Sequence, residues 1–167
     1  TGTRYGTLTI ATRAIPPSYD VHQEFSPALT TAGAGLVYSR LLRFKSGEGV
    51  PTPNLLVECD LCLSWERQDA TTYLFHLRDK VKWHDLSPVD GRELDASDVV
   101  FSLERQRIPG WPNAGLLTNL DTVTALDKST VKVTLKVPDA DFLVALADGH
   151  SKIVAPEAVA QSGDLVQ

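Results

Sequence analysis

The side chains able to do chemistry fall into three groups. Cys59 and Cys62 form a C-x-x-C pair in "CDLC". Such a pair serves as a short-range disulfide, two free thiols, a redox couple or half of a metal site. A structural zinc needs four ligands, and no second C-x-x-C follows. Four histidines, His22, His76, His84 and His150, are scattered without H-x-x-x-H spacing. The third group is the triplet Trp83-His84-Asp85, in which His84 would be a base and Asp85 its orienter. Adjacent residues on an extended chain point to opposite sides, so the two do not share a site. Asp85 suits the start of a loop instead, bonding its own backbone. There is no G-x-S-x-G, H-E-x-x-H or phosphate loop, and "GAGLVY" lacks the third glycine of a dinucleotide fingerprint. Nucleophile, base and orienter do not assemble.

The three tryptophans divide differently. Trp65 and Trp83 belong to regular apolar patterns and read as core. Trp111 stands between Pro109-Gly110 and Pro112, where no period calls for burial. Binding residues concentrate on loops, so Trp111 is a candidate for ligand or interface contact.

These groups need a frame to hold them. Thr7 to Thr12, "TLTIAT", alternates as a half-buried strand that Pro16-Pro17 ends. "SYDVHQEF" follows with no clear period. Ser26-Pro27 is an N-cap with proline at the first helical position. The helix it opens would carry Leu29, Gly33, Leu36, Val37, Arg40 and Leu41 on neighbouring turns. "KSGEGVPTPN" is a loop. Leu55 to Trp65 is a short helical turn or a strand. Tyr73, Phe75 and Leu77 alternate as a strand with one strongly apolar face, leaving His76 on the wetter side, and Val81 and Trp83 resume the alternation.

Asp95 and Asp98 place negative charge at the positive end of a helix whose apolar face is Val99, Val100 and Leu103. Ile108-Pro109-Gly110 stops that helix. "TVTALDKSTVKVTLKV" is a hairpin turning at Asp127-Lys128-Ser129, with Val131, Val133, Leu135 and Val137 on one face. A short helix spans Asp141 to Gly149, with Gly149 as its C-terminal signal. Another begins at Pro156. Separate strands and helices of this kind make an α+β fold, with a mixed or antiparallel sheet and flanking helices.

The chain has 167 residues and a net charge of −5, spread along its length. That is one ordinary domain, large enough to bury a core. No basic patch invites nucleic acid. No apolar run reaches the ~18 residues of a membrane span. Thr1-Gly2-Thr3-Arg4 carries no signal-peptide core. Nothing in the sequence calls for a cofactor.

A series of segments adds a resemblance. "LTIAT", "PPSYDVH", "YSRLLRF", "PNLLVECDLCLSWE", "TYLFHLRDKVKWHD", "SPVDGRELDASDVVFSLER" and "STVKVTLKVPDADFLVALADGHSKIVAPEAV" follow one another. In this order, from about Gly6 to about Val159, they resemble the N-terminal part of the family 5 extracellular solute-binding proteins. These are peptide, oligopeptide and nickel receptors of ABC importers. The sequence departs from the family in having Leu86 where glycine usually follows the His-Asp pair, and in carrying Cys59 and Cys62.

The resemblance implies a periplasmic-binding-protein-like, two-lobed receptor that closes on its ligand. Residues 1–167 would be a partial solute-binding domain: the first lobe's N-terminal strand and its accessory subdomain. It implies an extracytoplasmic protein, periplasmic or a cell-surface lipoprotein, that delivers ligand to an ABC permease in the membrane. In oligopeptide-binding relatives the stretch after an "LDPH"-like segment runs beside the ligand backbone. Here that stretch follows Tyr19-Asp20-Val21-His22, which makes Phe25, Ser26 and Pro27 the expected ligand contacts. Ser26 and Pro27 also suit a plain helix cap. A severed lobe would expose surface meant for the missing part and self-associate through it. Two competing expectations are a metal- or thiol-dependent enzyme using Cys59, Cys62 and nearby histidines, and a self-contained interaction module.

Overall fold

The computed structural model describes residues 6, 7, 9, 11, 15, 16, 18–31 and 33–163. The strand expected over Thr7 to Thr12 rests on Leu8 and Ile10, which lie outside the described residues.

The most regular alternation in the sequence builds the centre of the fold. β3 (Cys62–Arg67), β4 (Thr72–Leu77), β5 (Leu120–Ala125) and β6 (Thr130–Leu135) form an antiparallel sheet in the order β3-β4-β6-β5. Tyr73 lies opposite Val133, and Phe75 opposite Val131. The period of two sends these residues, with Leu77 and Leu135, to one buried face. His76 lies on the other face, where its Nε2 is 3.3 Å from Glu66 Oε1. Val137 does not continue the buried row. It lies beyond the last residue of β6, where the pleat no longer dictates its side, and is 51% exposed.

α3 (Ala96–Gln106) covers β5 and β6. Its start follows the sequence: the Asp95 side chain accepts from the Ser97 N–H, and the Asp98 side chain accepts from the Asp95 N–H at 3.1 Å. This is a reciprocal capping box. Val99 and Leu103 enter the core, whereas Val100 is half-buried at its margin. Trp65 and Trp83 also pack against the core, as their patterns imply. α4 (Phe142–Ala147) buries Phe142 and Leu146. α5 (Pro156–Ser162) starts at its proline. Arg92 ties α5 to α3, holding Glu157 at 2.6 Å and Asp98 at 2.6 Å.

Three expectations need correction or resolution. The helix from Pro27 does not run to Leu41. It is two short helices, α1 (Pro27–Thr31) and α2 (Ala34–Val37), broken at Gly33 with φ +51°, a left-handed conformation that glycine takes without a Cβ clash. Arg40 makes an isolated bridge to Lys152, and Leu41 bends the chain into β1 (Leu42–Phe44). Leu55 to Trp65 is not a helical turn. It contains β2 (Val57–Cys59), which pairs with β1, and the start of β3, joined by a turn at Asp60-Leu61. Gly149 follows α4 but is not left-handed. A Cβ there would meet Thr30 at 2.9 Å, so close packing on α1 is what calls for glycine.

Candidate functional site

The site is assembled from α3 outward. Asp98, Ser102 and Arg105 recur at i, i+4 and i+7, which puts them on one face of the helix. All three are buried, and each grips a different segment. Asp98 receives Arg92. Ser102 Oγ accepts from the Val154 N–H at 2.9 Å. Arg105 reaches the segment after the N-terminal prolines. Its Nη1 and Nη2 donate to Asp20 Oδ1 and Oδ2 at 2.9 and 2.5 Å, a fork on a carboxylate.

The Asp20 carboxylate also shapes its own backbone. Oδ1 accepts from the His22 N–H at 2.9 Å, and Asp20 O accepts from the Glu24 N–H at 2.9 Å. The result is a side-chain-closed turn over 20–24. The His22 ring completes the network. Arg105 Nη1 lies 3.0 Å from Nδ1, and a guanidinium only donates, so Nδ1 accepts. Nε2 therefore carries the hydrogen and donates to Lys152 O at 2.8 Å. Asn113 grips the same turn from another side, its Nδ2 donating to Val21 O at 3.1 Å and Glu24 O at 3.0 Å. The Trp111 ring faces the Arg105 guanidinium, whose carbon is 4.7 Å from the ring centroid, a cation–π contact.

Charges follow from these contacts. Burial, helped by the charge of Arg105, pushes the His22 pKa down to about 4, so the ring is neutral near pH 7. Burial alone would raise Asp20, but the hydrogen bonds from Arg105 and the His22 N–H outweigh it and hold the carboxyl below its ordinary range. Around His22 a buried cation, Arg105, thus meets a buried anion, Asp20, and a neutral imidazole.

The chain then leaves the interior. Phe25 is 67% exposed, and its ring stacks on His150 with centroids 5.3 Å apart and planes 5° from parallel. His150 is held in turn by Asp148, with Nδ1 and Oδ1 2.8 Å apart. That bond keeps the Asp148 carboxyl below its usual range. Among the described residues, the N–H and C=O of Phe25 have no hydrogen-bond partner. Ser26 Oγ accepts from the Ala28 N–H at 3.3 Å, so Ser26 does cap α1, and Pro27 is its first residue.

Phe25, Ser26 and Pro27 therefore form one continuous surface segment that leads into α1, anchored from beneath. Trp111 is set apart from it. It lines a cavity of about 760 Å³ with Glu104, Arg107, Thr118 and Lys136, and none of the three loop residues lines that cavity. Trp111 is linked to the loop through Arg105. The arrangement offers an anchored, partly apolar edge with free backbone groups, suited to holding a ligand. It offers no activated nucleophile: the imidazole of His22 is sealed, and both its nitrogens are engaged.

The metal- or thiol-enzyme expectation finds no footing here. Cys59 and Cys62 are joined in a disulfide, with Cα atoms 5.0 Å apart. His22, His76 and His150 each have separate partners. Among the described residues no three His, Cys, Asp or Glu side chains gather in a metal-holding group.

Asp20 and His22 entered the sequence reading as part of the segment ahead of the expected ligand contacts, not as anchors, and Arg105 and Asn113 were not singled out at all. One signal for Arg105 was present: a polar row, Asp98, Ser102 and Arg105, at helical spacing beside the apolar face. Its partners lie far along the chain, and no local pattern marks them.

Comparison with known proteins bears on the family and the fold. Residues 56–165 match the family described as "Bacterial extracellular solute-binding proteins, family 5 Middle". The "Dipeptide-binding protein" of Escherichia coli is 35% identical over 156 residues, covering 80% of this chain and 28% of that protein. Among solved structures, the periplasmic binding protein DppA from Helicobacter pylori, in complex with peptide STSA, superposes with a TM-score of 0.72. It is 28% identical, over 89% of this chain and 31% of the other. The binding protein MoaA of A. tumefaciens R10, in complex with mannopinic acid, gives 0.74 and 29% identity, over 88% and 29%. The chain spans about 30% of the length of the curated relatives it matches. Its α+β architecture is that of the matching part of periplasmic binding proteins. The chain belongs to the bacterial extracellular solute-binding proteins of family 5, a family of substrate-binding receptors and not of enzymes.

Proposed function

We propose that residues 1–167 form part of the first lobe, with its accessory subdomain, of a two-lobed receptor that captures peptides and delivers them to an ABC permease. The receptor works outside the cytoplasm, in the periplasm or as a cell-surface lipoprotein. The ligand lies along the loop Phe25, Ser26 and Pro27. Binding there changes no bond; closure of the second lobe shifts the population toward a form the permease engages.

The observation that carries this proposal is the free backbone of Phe25 on a segment bolted down by Arg105 and Asn113. An unpaired N–H and C=O beside each other suit an extended peptide, which supplies the complementary pair whatever its side chains. The names of the relatives favour the same ligand class. The similarity to the mannopinic acid binder makes small acids derived from sugars the natural comparison set.

The test is calorimetric titration of di- and tripeptides into the full-length receptor and its Phe25→Pro variant. Proline removes the N–H at that position. Loss of one hydrogen bond is expected to weaken peptide binding roughly five- to tenfold. Equal affinity in the two proteins would remove Phe25 from the site. Binding of opine-like acids with no response to any peptide would replace the ligand class.

A further inference from the structure

Asn113 is buried, at 1% exposure, in the 3₁₀ turn Pro112–Leu117 that follows Trp111. Its amide spends both hydrogens on one neighbouring turn, at Val21 O and Glu24 O. Its own Oδ1 is buried without a partner among the described residues. A buried acceptor left unmatched costs free energy, so packing alone does not account for an amide here. What the amide does for the chain lies in the second bond.

Glu24 C=O and Phe25 N–H belong to one peptide unit. That unit is planar and, unlike the cis bonds at Pro53 and Pro88, trans. In a trans unit the C=O and N–H point in opposite directions. Fixing Glu24 O on the buried amide therefore aims the Phe25 N–H away from Asn113. Accepting a hydrogen bond at the oxygen also polarises the unit and makes its N–H a better donor. Arg105 holds side chains of the turn, Asp20 and His22, while Asn113 holds the peptide plane next to the free N–H.

We infer that Asn113 is a positioning residue for ligand capture: through Glu24 O it sets the direction and donor strength of the Phe25 N–H that meets the ligand backbone. The inference rests on the placement of the ligand at Phe25 proposed above. It assigns a ligand-directed role to a residue that touches no ligand.

The experiment uses the full-length receptor, unmodified and as N113D, with V133A as a core-destabilised control. Aspartate keeps the shape of Asn113 but, ionised, cannot donate. Three quantities are read: the dissociation constant for alanyl-alanine, and the resonance and exchange rate of the Phe25 amide without ligand. In N113D the dissociation constant is expected to rise tenfold or more. The Phe25 amide proton should shift upfield and exchange faster. V133A should lower the melting temperature without moving any of the three.

An unchanged Phe25 amide in N113D would overturn the inference, as would alanyl-alanine affinity within twofold of the unmodified receptor. If the unmodified receptor binds no alanyl-alanine, the peptide assignment fails on its own. The amide resonance then still decides whether Asn113 sets the Phe25 N–H.

Discussion

Arg105→Met is expected to destabilise the chain by about 3–5 kcal/mol, the range for breaking a buried ion pair by removing one partner. The side chains of Arg105 and Asp20 are 4% and 0% exposed. Methionine fills much of the volume but leaves the Asp20 carboxylate buried without its cation, and it removes the donor to His22 Nδ1. Arg105→Lys keeps the charge but not the two-pronged fit, so it should fall between the two. Denaturant unfolding followed by far-UV circular dichroism measures the difference. The loss should be greatest for hydrogen-exchange protection over 20–24, since that turn is held by the pair. A loss below about 1 kcal/mol would mean the pair contributes no more than a surface ion pair.

The second large effect is on acid stability. The folded chain holds His22 neutral, with its pKa near 4 against an ordinary 6.5. Below pH 6.5 the unfolded chain takes a proton that the folded chain refuses. Stability is therefore complete above pH 6.5 and declines as pH falls toward 4. A displacement of that size corresponds to about 3 kcal/mol. Asp20 acts in the same direction at lower pH: its carboxyl is depressed in the fold, so its contribution is lost as pH falls below the ordinary carboxylate range. The groups facing His22 are Arg105, the Asp20 carboxylate and the Lys152 carbonyl. Urea unfolding at pH 7 and pH 4.5, compared for the unmodified chain and His22→Gln, isolates the effect. Glutamine has no proton to take up, so the variant should lose much less stability between the two pH values. Equal losses would show that His22 is not the group responsible.

What could be read from the sequence was what is local. The alternation of Tyr73, Phe75 and Leu77, the hairpin turning at Asp127, and the Asp95–Asp98 cap each depend on residues within a few positions of one another. Each appears in the fold, with Val137 beyond the end of its buried row and Val100 at the margin of the core. Ser26 and Pro27 open a helix for the same reason. The break at Gly33 was not legible, because glycine is tolerated inside a helix and only its φ shows that it ends one. Cys59 and Cys62 left several roles open, and the bend at Asp60-Leu61 brings the two sulfurs together in a disulfide.

The anchor of the site was the least legible part. Asp20 and Arg105 are separated by 85 positions, Asn113 and Val21 by 92, and His22 and Lys152 by 130. No periodicity spans such distances. "SYDVHQEF" has no period because its conformation is dictated by side chains from elsewhere, and so the segment looked like plain loop. Its expected place beside the ligand follows from the family resemblance. Its anchoring by Arg105 and Asn113 and the unpaired Phe25 backbone are tertiary features.

The most direct measurement is hydrogen exchange at the Phe25 amide in the full-length receptor, with and without a saturating peptide. Slowing of at least tenfold on binding is the expected result, because the ligand's carbonyl takes up the N–H. An exchange rate unchanged by a peptide that calorimetry shows to be bound would mean the ligand lies elsewhere, and the central claim would be wrong.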